Sequence, residues 1–212
     1  MWFKFNEDPQ VAGLCGPTAA LGETFCDSSG YNNHGRPHNG IWWYPGPSPV
    51  QFGGAIGVQQ GWISVENFNL DISTGFTFSC KIYSELHENE ADLFEKKNNN
   101  DTQILIGFSP NNFAKTTVKS GNQIITAEWD ANAHGGENFF ITGAFGNGQV
   151  RSYYNGQMMA SQNIDQLPLW GNSEIIIGKN TSLNSYFFGG VDECILINKD
   201  LGDQVGNNIA VH

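Results

Sequence analysis

The sequence predicts an all-β protein folded as an antiparallel two-sheet jelly-roll sandwich. Three observations carry that prediction. The 212 residues are 39% hydrophobic and 13% aromatic, which is enough apolar material for one sizeable core. Glycine occurs 26 times and asparagine is similarly abundant; both take positive φ readily, so turns are frequent and long helices scarce. Runs of four to eight residues with period-two alternation recur along the chain, and no segment beyond about ten residues shows a capped 3.6-residue apolar repeat. About a dozen short strands are too many for one open sheet, so two sheets packed face to face are expected.

The elements follow in order. Trp2 to Phe5 opens the series as a short strand. Phe76 to Ile82 alternates cleanly, with Phe76, Phe78, Cys80 and Ile82 on one face and Thr77, Ser79 and Lys81 on the other, the pattern of a sheet with one dry side. Gln103 to Gly107, Ile124 to Glu128, Ile175 to Gly178 and Cys194 to Ile197 read as further strands. The sharpest local signal is Val150 to Ala160, where Asn155 and Gly156 supply the two positive-φ residues of a type I′ turn, so two strands must pair directly there. Glu85 to Asp92, Lys96 to Asp101 and Gly171 to Ser173 read as polar loops, with Lys96 and Lys97 at a solvated hairpin tip. None is long enough to divide the chain, and residues 1–212 are expected to form a single domain.

Charge excludes some functions. Ten Lys and Arg against 21 Asp and Glu give a net charge of −11, with only 15% of residues charged, where soluble domains carry about 25%. An acidic chain without a basic cluster repels phosphate backbones, so nucleic acid is not an expected partner. No apolar run approaches the roughly 18 residues of a spanning helix, so membrane insertion is not expected either. The first residues lack the charged and apolar regions of a signal peptide, which leaves a trimmed leader or arrival by another route, such as assembly into a particle. Cys15, Cys26, Cys80 and Cys194 contain no C-x-x-C pair and so form no metal knuckle. They can make two disulfides in any of three connectivities or remain buried thiols, and the residues leave both open. The sequons at Asn100 and Asn180 carry little weight in so asparagine-rich a chain.

Five segments together resemble the laminin-G-like members of the concanavalin A-like lectin/glucanase superfamily. Trp2 to Asn6 followed by Asp27 to Gly35 is similar to that family's opening strand and its D-x-S-G-x-x-N-H-G loop. Gly53 to Val58 with Trp62 to Val65 resembles the next hairpin, and Phe76 to Ile82 resembles the strand written F-T-V-S-A-W-V. Val150 to Ser161 is similar to V-R-L-Y-V-D-G-x-x-V-A-S, and Phe188 to Leu201 to the closing F-x-G-x-I-D-E-V-R-I-Y-N-R-A-L. Their order is the family order and they cover nearly the whole chain. Two departures stand out: Gln10 to Glu23 is longer than the usual opening loop, and Asn138 to Thr142 replaces the usual W-H-H-V-A.

Three sets of site residues emerge. In the Asp27 loop, carboxylate, amide and main-chain oxygens can wrap a hard cation, and the resemblance implies a structural calcium held by Asp27, Asn32, the main-chain oxygen of His34, and Asp192. The competing reading is an Asx-turn that binds nothing. Aromatic side chains stack on the C–H faces of sugars, which makes Tyr31, Trp42, Trp43, Tyr44 and Tyr186 the candidate ligand-binding residues, with Trp62, Trp129 and Trp170 behind them. Alternation sends Trp42 and Trp43 to opposite faces. Glu90, Asp92 and Glu95 match the E-x-D-x-x-E pattern of the laminarinase-type β-glucanases of that superfamily, in which paired carboxyls hydrolyse a glycosidic bond. The flanking residues argue against it, since His87 to Asn89 and Lys96 to Asn98 stand where those enzymes resemble one another in glycine and tryptophans.

The expected function is therefore a non-catalytic recognition module that binds a glycan or surface partners on an extracellular or particle (virion-type) surface. The alternative is a structural or decoration subunit of a virus particle or other assembly, with neighbouring subunits or further copies of itself as partners and no sugar ligand. A β-glucanase using Glu90, Asp92 and Glu95 ranks below both.

Overall fold

The computed structural model describes residues 1–5, 25–45, 54–68, 74–84, 87, 89–99, 102–165, 173–201 and 204. Its strands begin with β1 (Trp2–Phe3), β2 (Arg36–His38), β3 (Ile41–Pro45), β4 (Gly54–Gln59), β5 (Trp62–Phe68), β6 (Phe76–Ser84), β7 (Ala91–Asn99), β8 (Thr102–Ser109) and β9 (Phe113–Ser120). They continue with β10 (Gln123–Asp130), β11 (Asn138–Gly146), β12 (Gln149–Tyr154), β13 (Gln157–Asn163), β14 (Ser173–Ile177), β15 (Lys179–Asn180), β16 (Ser185–Tyr186) and β17 (Phe188–Ile197). One 3-10 turn, Asn132–His134, interrupts them.

An eight-stranded sheet runs in the order β13-β12-β11-β6-β17-β4-β3, with β1 paired alongside β17, and a seven-stranded sheet runs β10-β9-β8-β7-β14-β5-β2. β15 and β16 form a separate small hairpin. The inner faces meet in one core, in which Phe78 of the first sheet and Phe94 of the second lie 4.2 Å apart. The sheets approach closely at Gly143, where a Cβ would sit 2.5 Å from Ile106 Cδ1, so no larger residue fits. The turn at Asn155 and Gly156 has φ of 45° and 81° and joins β12 to β13 as its composition requires.

Two parts of the chain differ from expectation. Lys96 to Asn99 is strand, not loop, and Lys96 is buried, donating to Ser173 Oγ at 2.7 Å. A bulge in β7 between Asp92 and Phe94 turns both Leu93 and Phe94 into the core, which breaks the alternation that would mark a strand. β9 also escapes the pattern, because its inward positions Ala114, Thr116 and Val118 include a small and a polar residue. Asn100, Trp170, Cys15 and the Gln10 to Glu23 segment lie outside the described residues. Asn180, the other sequon residue, is buried against Asp92, so its amide is not exposed to a glycosylating enzyme. Among the described residues no helix is long and apolar enough to cross a membrane.

Cys80 of β6 and Cys194 of β17 are bonded to each other, and Cys26 is also in a disulfide. The Cys80–Cys194 bond spans 114 residues, so opening it releases a large loop in the unfolded chain. The Cys80→Ala/Cys194→Ala variant is expected to lose about 2–5 kcal/mol, read as a fall in the urea midpoint with a steeper slope, because the uncrosslinked unfolded chain exposes more surface.

His87 gives a pH signature. It is buried between Phe108 and Phe187, at 4.9 and 5.3 Å between ring centroids, with Ser84 Oγ 3.0 Å from its Nε2. Burial disfavours the imidazolium and pulls its pKa from 6.5 down to about 4. Between those values the unfolded chain binds the extra proton, so this residue lowers stability as pH falls. Asp92 and Asp192, both pushed up to about 7 chiefly by burial, act in the opposite sense over the same window. The diagnostic is therefore the difference: between pH 7 and pH 4 the melting temperature of His87→Gln should fall less than that of the wild type.

Candidate functional site

The loop that follows Phe25 is built around one carboxylate. An isolated bridge between Phe25 and Gly35 closes its base, and Gly30 and Asn32 turn it at φ of 83° and 57°. Asp27 Oδ1 accepts from Trp2 N at 2.8 Å, Ser29 N at 3.0 Å and Ser29 Oγ at 2.6 Å. Its Oδ2 accepts from Asn33 N at 3.0 Å and Asn33 Nδ2 at 3.2 Å. Burial alone would raise this carboxyl, but the donors from Ser29, Trp2 and Asn33 hold it below the ordinary carboxylate value. Asp27 thus ties strand β1 to the loop and orients two polar side chains, Ser29 and Asn33.

Those two side chains line a pocket of about 490 Å³ between the loop and the end of β17. Trp2 and Tyr31 supply aromatic walls, Asn198 a further amide, and Ile195 and Ile197 an apolar floor. None of the lining side chains among the described residues carries a charge. Tyr31 is 79% exposed, which leaves its ring open to a ligand. The Asp27 loop and Tyr31 were legible in the sequence. Trp2 and Asn198 were not, because they reach this place only when β1 pairs with β17.

Of the side chains expected to hold calcium, that of Asp27 is already engaged by the loop's own donors. A carboxylate has about four lone-pair directions, and five donors already converge on Asp27. His34 Nδ1 accepts from Asp27 N at 3.1 Å, so the ring serves the turn. Asp192 lies in a bulge of β17, fully buried, with no hydrogen-bond partner on either oxygen. Among the described residues no group of three or more His, Cys, Asp or Glu side chains gathers in a metal-binding arrangement. Asp27 has the partners of an Asx-turn.

The other aromatic candidates stand apart from this pocket. Trp43 points inward, packs on the core and donates its Nε1–H to Phe5 O at 2.9 Å. Trp42 points outward, with its indole lying over Gly57. Only the backbone of Tyr44, paired with Ala55, is described. Tyr186 belongs to the β15–β16 hairpin, where Lys179 Nζ sits 5.0 Å from its ring and 4.2 Å from that of Trp62. His38 stacks on Trp62 at 4.8 Å, so both neighbours of that indole are already in place. Of the four singled-out residues whose side chains are described, Tyr31 alone lines the pocket.

Glu90, Asp92 and Glu95 meet beneath the β15–β16 hairpin rather than along a cleft. Lys115 pairs with Glu90 and, at 3.4 Å, with Asp92. Asn180 Nδ2 donates to Asp92 Oδ2 at 2.6 Å, and Glu95 accepts from Gln103 Nε2 at 2.5 Å and Thr181 N at 2.7 Å. Asp92 and Glu95 are 0% and 1% exposed. Retaining hydrolysis needs two carboxyls open to either side of a sugar bond, and here the hairpin and Lys115 occupy that space.

Because its partners are hydrogen-bond donors, Asp27→Ala is expected to cost about 2–4 kcal/mol by stranding backbone N–H groups of Trp2, Ser29 and Asn33. Thermal melts should show the same loss in calcium and in chelator, and a wild-type midpoint that does not move between the two. A calcium-dependent midpoint would instead support the cation reading.

Comparison with known proteins places this architecture. The fold is similar to domain 4 of AbnA, a GH43 extracellular arabinanase from Geobacillus stearothermophilus solved with arabinotriose, at a TM-score of 0.71 and 17% identity, covering 97% of this chain and 95% of that one. It is also similar to the binding domain of botulinum neurotoxin serotype D, at 0.69 and 18% identity over 99% of this chain and 50% of that one. The binding domain of Paraclostridial Mosquitocidal Protein 1 matches at 0.68 and 20% identity, over 86% and 48%. The chain spans about half the length of these toxin domains, and at such identities the likeness concerns the fold. No curated protein matches the sequence. A laminin-G family model of the concanavalin A-like lectin/glucanases superfamily matches residues 57–204, and the chain belongs to that superfamily.

Proposed function

We propose that this protein is a carbohydrate-recognition module that holds a neutral saccharide in the pocket between the Asp27 loop and the end of β17. The pocket itself carries the reading. At about 490 Å³ it has the size of a small-ligand site, and it pairs aromatic rings with uncharged hydrogen-bonding groups, the combination that sugars require. Tyr31 and Trp2 offer flat faces for sugar C–H groups. Ser29 Oγ and Asn33 Nδ2 donate to Asp27, which leaves the Ser29 lone pairs and Asn33 Oδ1 to accept from sugar hydroxyls. The net charge of −11 disfavours an anionic ligand.

Several neighbours support the reading by what they are: one is an arabinanase domain solved with arabinotriose, others are toxin binding domains. They also favour an extracellular or surface setting over an intracellular one, and a binding role over a catalytic one. A docking subunit of a particle, with no sugar ligand, is the second reading; the exposed strand edge described below favours it.

Calorimetric titration with neutral oligosaccharides, arabino-oligosaccharides among them, tests the proposal. Saturable binding is expected, with Tyr31→Ala weakening it about tenfold or more and Asn198→Ala by a smaller factor, both at unchanged melting temperature. Binding that survives Tyr31→Ala would place the sugar elsewhere, and no binding across a glycan array would end the reading.

A further inference from the structure

The two large sheets have four outer strands, and three of them carry the features that keep sheet edges from pairing with other chains. β2 contains Arg36 and Pro37, β3 ends at Pro45, and β10 carries Glu128 and Asp130. β13 has none. Its sequence from Gln157 to Asn163 holds no charge, proline or glycine, and every residue but Ala160 is exposed. It pairs with β12 on one side, and no strand among the described residues pairs with the other. The uncharged stretch extends from Ser152 to Ile164, beyond both ends of the strand. Met158 and Met159 are 47% and 41% exposed, and the exposed Ile124 lies on β10, the neighbouring edge of the other sheet. The edge is interrupted once, by the bulge at Met159, which leaves Ala160 to Asn163 as regular strand.

From these observations we infer that β13 is a self-association edge, on which a second copy of this chain pairs antiparallel about a two-fold axis through the Ala160 to Asn163 segment. The side-chain chemistry selects this partner. A two-fold interface sets residues opposite their own kind or near relatives, so it must be self-complementary. Charged residues fail that condition, whereas Gln, Ser and Asn each carry donor and acceptor on one side chain and satisfy it. Gln157, Ser161, Gln162 and Asn163 are all of that type. Two copies with a net charge of −11 each repel at long range, so a neutral contact line is where they can approach. Backbone pairing would join the two eight-stranded sheets into one continuous sheet, with Met158, Met159 and Ile124 removed from water along its flanks. The Trp2 and Tyr31 pocket lies at the β1 and β17 side of the same sheet, so a dimer would present two pockets and raise avidity for a repeating polymer. The inference stands whether or not that pocket binds sugar.

Sedimentation velocity across the micromolar range tests it. A monomer–dimer equilibrium is expected that tightens as salt rises, because salt screens the repulsion between two acidic copies. Ser161→Lys and Met158→Lys, each at an exposed position, should abolish the dimer at unchanged circular dichroism. Lysine also makes the chain less acidic, so weaker association cannot come from added general repulsion. Backbone amides of Ala160 to Asn163 should gain hydrogen-exchange protection at high protein concentration. A monomer at every concentration and salt overturns the inference, as does a dimer that withstands both substitutions or one that loosens as salt rises.

Discussion

The bulge in β17 is the constraint on which the rest of the sandwich depends. Val191 and Cys194 both face the core, yet they stand three residues apart, and a regular strand would send them to opposite faces. The irregularity between Asp192 and Ile195, with Glu193 at φ of 48°, shifts the phase by one residue. From there onward Cys194 and Leu196 point inward while Ile195 and Ile197 line the pocket. The same shift lets Cys194 reach Cys80 and sets Phe3 of β1 opposite Cys194. The cost of that geometry falls on Asp192, whose carboxyl is buried in the bulge without a hydrogen-bond partner.

The two acidic sites that the sequence singles out serve different physical ends. Asp27 is surrounded by N–H and O–H donors, which favour its charged form and make it the hub of a rigid loop. Asp92 is enclosed without enough donors, so burial raises its pKa to about 7 despite the amide of Asn180. It works with Glu95, Lys115 and Asn180 to fasten the β15–β16 hairpin over the outer face of β7. One carboxylate shapes a pocket, and the other holds down a cover. Neither sequence shows this outcome, because it lies in which donors surround each group.

The two regions of interest therefore occupy different parts of the eight-stranded sheet. The pocket lies where β1 joins β17, and the neutral edge is β13 at the far end of the strand order. Rigid strands separate them, so ligand binding and self-pairing need not compete for the same residues. The 13% aromatic content is mostly spent inside, in pairs such as Phe78 with Phe94 and Phe76 with Phe145. This is why exposed Tyr31 stands out as a functional residue while Trp43, equally conspicuous as a letter, does not.

The sequence by itself determined the fold class, the family and most strands, because period-two alternation, turn residues such as Asn155 and Gly156, and inward aromatics are local properties. It also singled out the Asp27 loop, whose short polar residues announce a tight turn. It did not show β9, whose core positions are small or polar, nor the true span of β7, whose bulge and buried Lys96 read as loop. Only the tertiary structure decided that Trp2 and Asn198 join Tyr31 at one pocket, that the β15–β16 hairpin covers Asp92 and Glu95 while Glu90 pairs with Lys115, and that β13 is left exposed. Those outcomes depend on contacts between residues far apart in the chain, and burial and partner choice are set by pairing across strands, which no local pattern encodes.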